Sequence, residues 1–286
     1  MSFKDKYGPW AFIAGASQGI GGAFSEEAAK RGLNVVLMAR GKEALDAKAA
    51  EIASTYGVET RILAGDLAAP DVVAQVSSVT DDIEVGLFVY NAAMAPAGDF
   101  LDLPVEDHLR SILMNCTTPT VLSHHFAGKM RERGRGGLAL IGSMGGLEGS
   151  IHFSSYNAGK AFEWVLAETL WAELKPHGVD ATCQLVGATN GANYRWFQET
   201  LDPELCKNHD SDDPLDVARW RLMNPVEPAV CATTLYDNLG DGPVCFSTPE
   251  DEFVASKMFA MSRAEIVDLW VKIQETTTRL PEHQAR

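Results

Sequence analysis

WAFIAGASQGIG, from Trp10 to Gly21, passes from an apolar run into a glycine-rich turn and then into a helical pattern that continues to Arg31. An apolar run without polar alternation predicts a strand covered on both faces. Gly15, Gly19 and Gly21 at the strand-to-helix turn permit a tight bend, close approach of a ligand's phosphates to the backbone, and close packing of helix on strand. Free N–H groups at the start of such a helix attract an anion. The spacing is G-x-x-x-G-x-G. By itself it is equally a plain structural turn, and its surroundings decide between the two.

The same alternation continues along the chain. Strand candidates are Trp10–Ala14, Asn34–Ala39, Thr60–Ala64, Val85–Tyr90, Leu138–Gly142, Asp180–Val186 and Val244–Ser247. Helical stretches lie between them at Ile20–Arg31, Lys42–Tyr56, Pro70–Val79, Val105–Met114, Thr120–Arg133, Ser155–Leu174 and Glu227–Asn238. Strands alternating with helices predict an α/β fold, a doubly wound Rossmann-type parallel sheet of about seven strands with helices on both faces. We expect residues 1–286 to form a single dinucleotide-binding domain. The polar, Asp-rich stretch from Asn190 to Asn224 breaks the pattern and is expected to be a substrate lid, with Asp210-Ser-Asp-Asp213 a solvated segment and helix cap. Residues 248–286 are read as a helical extension.

Composition narrows the function. The 286 residues carry 39 Asp and Glu against 24 Lys and Arg, a net charge of −15. A chain this acidic lacks the basic footprint of a nucleic-acid binder or of a protein that docks on anionic membranes. Cys116, Cys183, Cys206, Cys231 and Cys245 are scattered, without a CxxC pair. That usage predicts reduced thiols and a cytoplasmic location. MSFKDKYGPW at the N-terminus has no apolar signal-like core, and no apolar run approaches a membrane span. The seven histidines show no HxxxH or HExxH spacing, so no metal site is expected.

The chemistry-bearing pattern is Ser143, followed thirteen residues later by Tyr156-Asn157-Ala158-Gly159-Lys160. Residues four apart share a helix face. Ser143 ends an apolar strand, at the carboxyl edge where open sheets bind ligands. A phenol has an ordinary pKa of about 10, and a neighbouring ammonium favours its phenolate. Tyr156 can then exchange a proton with an alcohol oxygen, while Ser143 hydrogen-bonds that oxygen. The second strand ends in Arg40, followed by Lys42, where binders of an unphosphorylated ribose place Asp or Glu. A guanidinium suits a 2′-phosphate, which favours NADP(H) over NAD(H). The alternative is a solvated charge. Asp66, after the third strand, is a candidate for the adenine ring or for a helix cap.

These residues resemble the short-chain dehydrogenase/reductase family, in its short single-domain branch, over about Tyr7 to Ser247. AGASQGIG is similar to that family's cofactor turn, and YNAA (Tyr90 to Ala93) to its NNAG segment. Asn115 falls where the family carries a fourth catalytic residue beside Ser143, Tyr156 and Lys160. The resemblance implies cofactor contacts from Gly15, Ser17, Gln18, Gly19, Ile20, Gly21, Arg40, Asp66, Leu67, Asn91, Ala92, Tyr156, Lys160, Gly187 and Thr189. It departs from the family at Ala14, Tyr90, Ala93 and Val186, and Thr189 stands closer to Gly187 than the pattern has it. Several stretches, among them KYGPWAFIAGASQGIG, NVVLMAR, YGVET and YNAGKAF, are similar to bacterial hydroxysteroid dehydrogenases acting at the 7β position.

Met94, Met144, Phe153, Tyr194, Trp196 and Phe197 are expected to line a largely apolar substrate pocket. The expected reaction is NADP(H)-dependent hydride transfer to a bulky hydrophobic ketone, or from the corresponding secondary alcohol, with Tyr156 as general acid/base. The competing reading is a non-catalytic NADP-binding regulator on the same scaffold. Apolar residues on Cys116–Arg133 and Ser155–Leu174, including Phe162, Trp164 and Trp171, are expected to pair copies into a homodimer or homotetramer.

Overall fold

The apolar runs become the strands of one sheet in the computed structural model, which describes residues 1–191, 194 and 212–277. The strands are β1 (Trp10–Ala14), β2 (Asn34–Ala39), β3 (Thr60–Ala64), β4 (Val85–Tyr90), β5 (Gly136–Ser143), β6 (Val179–Val186) and β7 (Val244–Phe246). They are all parallel, in the order β3-β2-β1-β4-β5-β6-β7. The order reverses between β1 and β4, where Ala14 stands opposite Tyr90 on one side and Met38 on the other. Crossovers leave in opposite directions from this point and open a crevice beyond the strand ends.

The helices are α1 (Phe3–Tyr7), α2 (Gly19–Lys30), α3 (Lys42–Tyr56), α4 (Val72–Thr80), α5 (Val105–Ile112), α6 (Thr118–Arg133), α7 (Ser154–Leu174), α8 (Pro214–Met223), α9 (Pro228–Asn238), α10 (Pro249–Phe259) and α11 (Arg263–Thr277). They cover both faces of the sheet. Ala11 and Ile13 of β1 pack with Phe24 of α2, Leu45 of α3 and Leu235 of α9. Trp10, Phe12 and Ala14 point the other way, toward Val76 of α4, Phe126 of α6 and Ala167 of α7. Because successive residues of a strand face opposite sides, a doubly covered strand must be apolar throughout, and β1 and β4 are buried along their whole length. Phe12, Phe88 and Phe126 meet with ring centroids 4.8–6.1 Å apart. Each such side chain contributes about 1.5–3 kcal/mol by burial.

Three features depart from the sequence reading. The N-terminus forms α1, closed by a capping box in which Ser2 and Asp5 exchange side-chain-to-backbone hydrogen bonds. The stretch read as an irregular lid includes α8, whose start is capped by the Asp213 carboxylate accepting from the Leu215 N–H at 2.9 Å. Pro214 sits in its first turn, where no N–H is needed. Finally, Leu113–Thr117 between α5 and α6 is a turn of π-helix. Such turns re-aim side chains within an otherwise continuous helix, and this one carries Asn115.

Candidate active site

The residues singled out from the sequence follow the carboxyl ends of the strands or line the crevice beside them. Gly15 leaves β1 with φ +83°, a conformation that favours glycine. Gly21, one turn into α2, faces that bend so closely that a Cβ would stand 1.9 Å from the Gly15 carbonyl oxygen. Asn91, directly after β4, fixes the turn by donating from its side-chain amide to the same carbonyl at 3.2 Å. Ala92 packs tightly against Gly15, with its backbone 3.0 Å from where a Cβ would stand. Ser17, Gln18, Gly19 and Ile20 reach solvent at the mouth. Gln18 makes no side-chain cap, and the first turn of α2 holds no acidic residue. This helix end therefore retains its electropositive character and suits a phosphate.

Arg40, after β2, is exposed and makes no hydrogen bond or ion pair among the described residues. Lys42 is occupied by Asp46 at 2.7 Å. The Asp66 carboxylate accepts from the Ala68 N–H at 2.9 Å and from Arg110 at 2.7 Å. Those bonds, with Arg40 adding its charge, hold Asp66 below the usual carboxylate range. It closes a local turn, and the helix that follows is led by Asp71 instead. Leu67 is buried, so its side chain belongs to the core. A glycine cradle, an uncapped helix end and a free guanidinium fit the pyrophosphate and 2′-phosphate of a dinucleotide.

The second half of the site hangs on β5 and α7. Ser143 ends β5 in extended conformation, and its Oγ accepts from the Gly145 N–H at 3.2 Å. The hydroxyl proton stays free to point outward. Lys160 is buried at the core of the arrangement. Its Nζ donates to the Ile141 carbonyl on β5 at 2.6 Å and to the Glu163 carboxylate at 2.8 Å. The same Nζ lies 5.9 Å from the centroid of the Tyr156 ring, which is half-buried. Burial alone would push the Lys160 ammonium down, but Glu163, together with Tyr156, reverses the sign and holds it above the usual lysine range. Glu163 was not singled out from the sequence.

Asn115 is fully buried between these parts. Its side chain accepts from the Met94 N–H at 3.0 Å and donates to the Met94 carbonyl at 2.8 Å and to Ser111 at 3.1 Å. Gly159, between Tyr156 and Lys160 on α7, is required here: a Cβ would fall 2.6 Å from the Asn115 side chain. The unusual Tyr90 donates to the Met114 carbonyl at 2.6 Å and ties β4 to the π turn. His108 links α5 to the start of α7, with Nδ1 3.1 Å from the Ser155 hydroxyl and Nε2 3.0 Å from the Phe100 carbonyl.

The expected substrate pocket is only partly assembled as read. Phe153 precedes α7 with its ring 6.4 Å from that of Tyr156. Met94 is half-buried, with its backbone tied to Asn115. Met144 opens a 3₁₀ turn over Met144–Leu147 and its side chain is buried in the core. The Tyr194 hydroxyl donates to the Leu222 carbonyl at the end of α8. Trp196 and Phe197 lie outside the described residues. Thr189 is also turned inward, donating to the Gly187 carbonyl at 3.1 Å. Gly187 itself abuts a buried ion pair, since a Cβ there would meet the Asp251 carboxylate at 2.2 Å.

Several polar residues around the crevice carried no sequence signal. Arg221 of α8 and Asp251 of α10 form a buried pair, with Nε to Oδ1 at 3.0 Å and Nη2 to Oδ2 at 3.1 Å. Arg221 also donates to the carbonyls of Ala188 and Asn224. His152 adopts φ 68°, which is rare outside glycine, and is held by the Gly98 N–H on its carbonyl and Asp99 on its ring. A cavity of about 470 Å³ lies behind the 146–151 loop, lined in part by Glu148, Ser154 and Arg263. No group of three or more His, Cys, Asp or Glu able to hold a metal occurs among the described residues. None of the described helices is long and apolar enough to cross a membrane.

The family model described as short chain dehydrogenase matches residues 9–200. A 7β-hydroxysteroid dehydrogenase of Collinsella aerofaciens is 35% identical over 240 residues, covering 84% of this chain and 86% of that protein. The solved structure of a 7β-hydroxysteroid dehydrogenase studied for its stereoselectivity superimposes with a TM-score of 0.82 at 27% identity, covering 94% of this chain and 99% of that one. A short-chain dehydrogenase from Sphingobium yanoikuyae, solved in complex with NADPH, gives a TM-score of 0.72 at 28% identity, covering 97% and 99% of the two chains.

Proposed function

The chain belongs to the short-chain dehydrogenase family and is an oxidoreductase, and from this we propose that it exchanges a hydride between NADP(H) and a bulky hydrophobic ketone or secondary alcohol, with a hydroxysteroid as the favoured substrate class. The observation that carries the reading is the buried Lys160 ammonium, bound to the strand that ends in Ser143 and lying 5.9 Å from the Tyr156 ring centroid. The steroid class is supported by the relatives named above and by the apolar face of Phe153 beside Tyr156.

The nucleotide supplies or accepts the hydride when bound. The glycine turn and the start of α2 would hold its pyrophosphate, and Arg40 would hold a 2′-phosphate. Ser143 donates a hydrogen bond, not its proton, to the substrate oxygen while its Oγ accepts from the Gly145 N–H. Tyr156 gives a proton to that oxygen in reduction and takes it in oxidation. Lys160 stabilises the negative charge that forms on the phenol oxygen. Asn115 holds the Met94 segment against α7.

We read the whole chain as one unit; of the substrate lid expected at 190–224, residues 192, 193 and 195–211 lie outside the described residues. Copies associate through α5 and α7, where Val105, Leu109, Ile112, Phe162 and Val165 are exposed. α6, expected to share this surface, contributes no large exposed apolar residue. A cytoplasmic location is supported by the four free cysteines among the described residues. The test is a panel of steroid, aryl and aliphatic ketones, with NADPH and NADH compared. Turnover of a keto-steroid with NADPH is the expected result, and no turnover of any ketone would overturn the assignment.

A further inference from the structure

Glu163 stands one helical turn beyond Lys160, and its carboxyl is entirely buried. Oε2 accepts from Lys160, while Oε1 has no hydrogen-bond partner. The elements packed around it present Tyr90 from β4, Cys116 from the π turn and Cys183 from β6, and the Glu163 carboxylate helps push the acid of each upward. Those three are neutral, so the charge facing Glu163 is Lys160 itself. Holding Lys160 in place needs no carboxylate, because the Ile141 carbonyl already anchors it to β5 and any neutral acceptor would do for the second bond. Burying a carboxylate with one oxygen unsatisfied is costly. What only a carboxylate adds is charge, which opposes loss of the buried lysine's proton.

We propose that Glu163 is a positioning residue that keeps the Lys160 ammonium charged and aimed at Tyr156; this rests on the reading of Tyr156 as the proton donor. Burial pushes the Glu163 carboxyl up to about 7, against the pull of Lys160. The carboxylate form therefore dominates above neutral pH, the range in which a buried lysine would otherwise lose its proton. Without it, burial loses its largest opponent, only Tyr156 and Cys183 still favour the charged lysine, and the pH at which the ammonium is lost falls.

The experiment follows the lysine Cε resonances of ¹³C-lysine-labelled, nucleotide-free protein against pH, with the Lys160 signal identified by its absence in Lys160→Met. In Glu163→Gln the Lys160 midpoint should fall by about one pH unit or more. In Glu163→Asp, which keeps the charge on a shorter arm, it should fall less. The alkaline limb of kcat/KM for ketone reduction should move down by the same amount, leaving turnover near pH 6.5 largely intact. An unmoved Lys160 midpoint, or an equal loss of kcat/KM at every pH, would mean a merely structural role and overturn the proposal. If the glutamine variant does not fold, the aspartate variant decides by the same readout, and an unmoved midpoint there refutes it. Absence of ketone turnover in the unaltered protein would remove the catalytic purpose, while the lysine titration would still decide whether Glu163 holds the charge.

Discussion

Replacing Arg221 with Met should cost more stability than any single surface change, and the cost should depend on pH. The side chain donates to both Asp251 oxygens, at 3.0 and 3.1 Å, to Ala188 at 3.1 Å and to Asn224 at 2.6 Å. Both members of the pair are about 5% exposed or less. Removing one partner of such a pair typically costs about 3–5 kcal/mol, because the other charge is left buried and alone. At about 2–4 °C per kcal/mol for a chain of this size, Tm should drop by about 10 °C. Burial already raises the Asp251 carboxyl above its ordinary range, and Arg221 opposes that rise. Without Arg221 the folded-state value climbs further above the unfolded one. A group with a raised folded value adds stability at low pH and loses it as pH rises through that value. The variant's deficit should therefore be large at pH 8 and clearly smaller at pH 5. Adding Asp251→Asn should recover at least half of the loss at pH 8. Thermal melts and urea titrations at fixed protein concentration measure this. A deficit under about 1 kcal/mol, or one equal at both pH values, would refute the argument that a buried charge is being orphaned.

Other outcomes follow from the same geometry. Glu148 is buried in the cavity wall with Oε2 unpartnered, and burial raises its carboxyl well above the usual range against the pull of Arg263. Glu148→Gln should thus raise Tm at pH 8 and change little at pH 5, read by the same melts; a lower Tm at pH 8 would contradict this. Arg40→Ala should raise KM for NADPH by tenfold or more and leave KM for NADH nearly unchanged, measured by absorbance at the nicotinamide band, while equal effects would argue against a 2′-phosphate contact. Val165→Asp, which puts a charge beside exposed Phe162 on α7, should convert the proposed homo-oligomer to smaller species in light scattering without unfolding it.

The parts of the fold that were legible share a physical cause. β1, β4 and β5 are covered on both faces, so they must be written as unbroken apolar runs, and the glycine turn must be written as glycine because Gly15 and Gly21 nearly touch. Ser143 and the Tyr156–Lys160 spacing were visible because strand ends and helix turns fix distances along the chain. What was missed depends on contacts between distant residues. Arg221 and Asp251 are 30 positions apart on separate helices, and no local pattern marks them. Glu163 was visible only as a glutamate three residues after a lysine, which on most helices is a solvated pair. For α8 the capping segment ending at Asp213 was legible, but the polar residues that follow gave no apolar period to mark the helix itself. The inward turn of Met144 and Thr189 follows from local backbone geometry that composition does not encode.

The central claim is that Tyr156 moves the proton. Tyr156→Phe removes one hydroxyl from a half-buried ring and leaves Lys160, Ser143 and the glycine turn in place. NADPH binding followed by nicotinamide fluorescence should be unchanged within about threefold, while kcat for the best ketone falls by about 10²-fold or more. Turnover within tenfold of the unaltered protein, at equal NADPH affinity, would contradict the account.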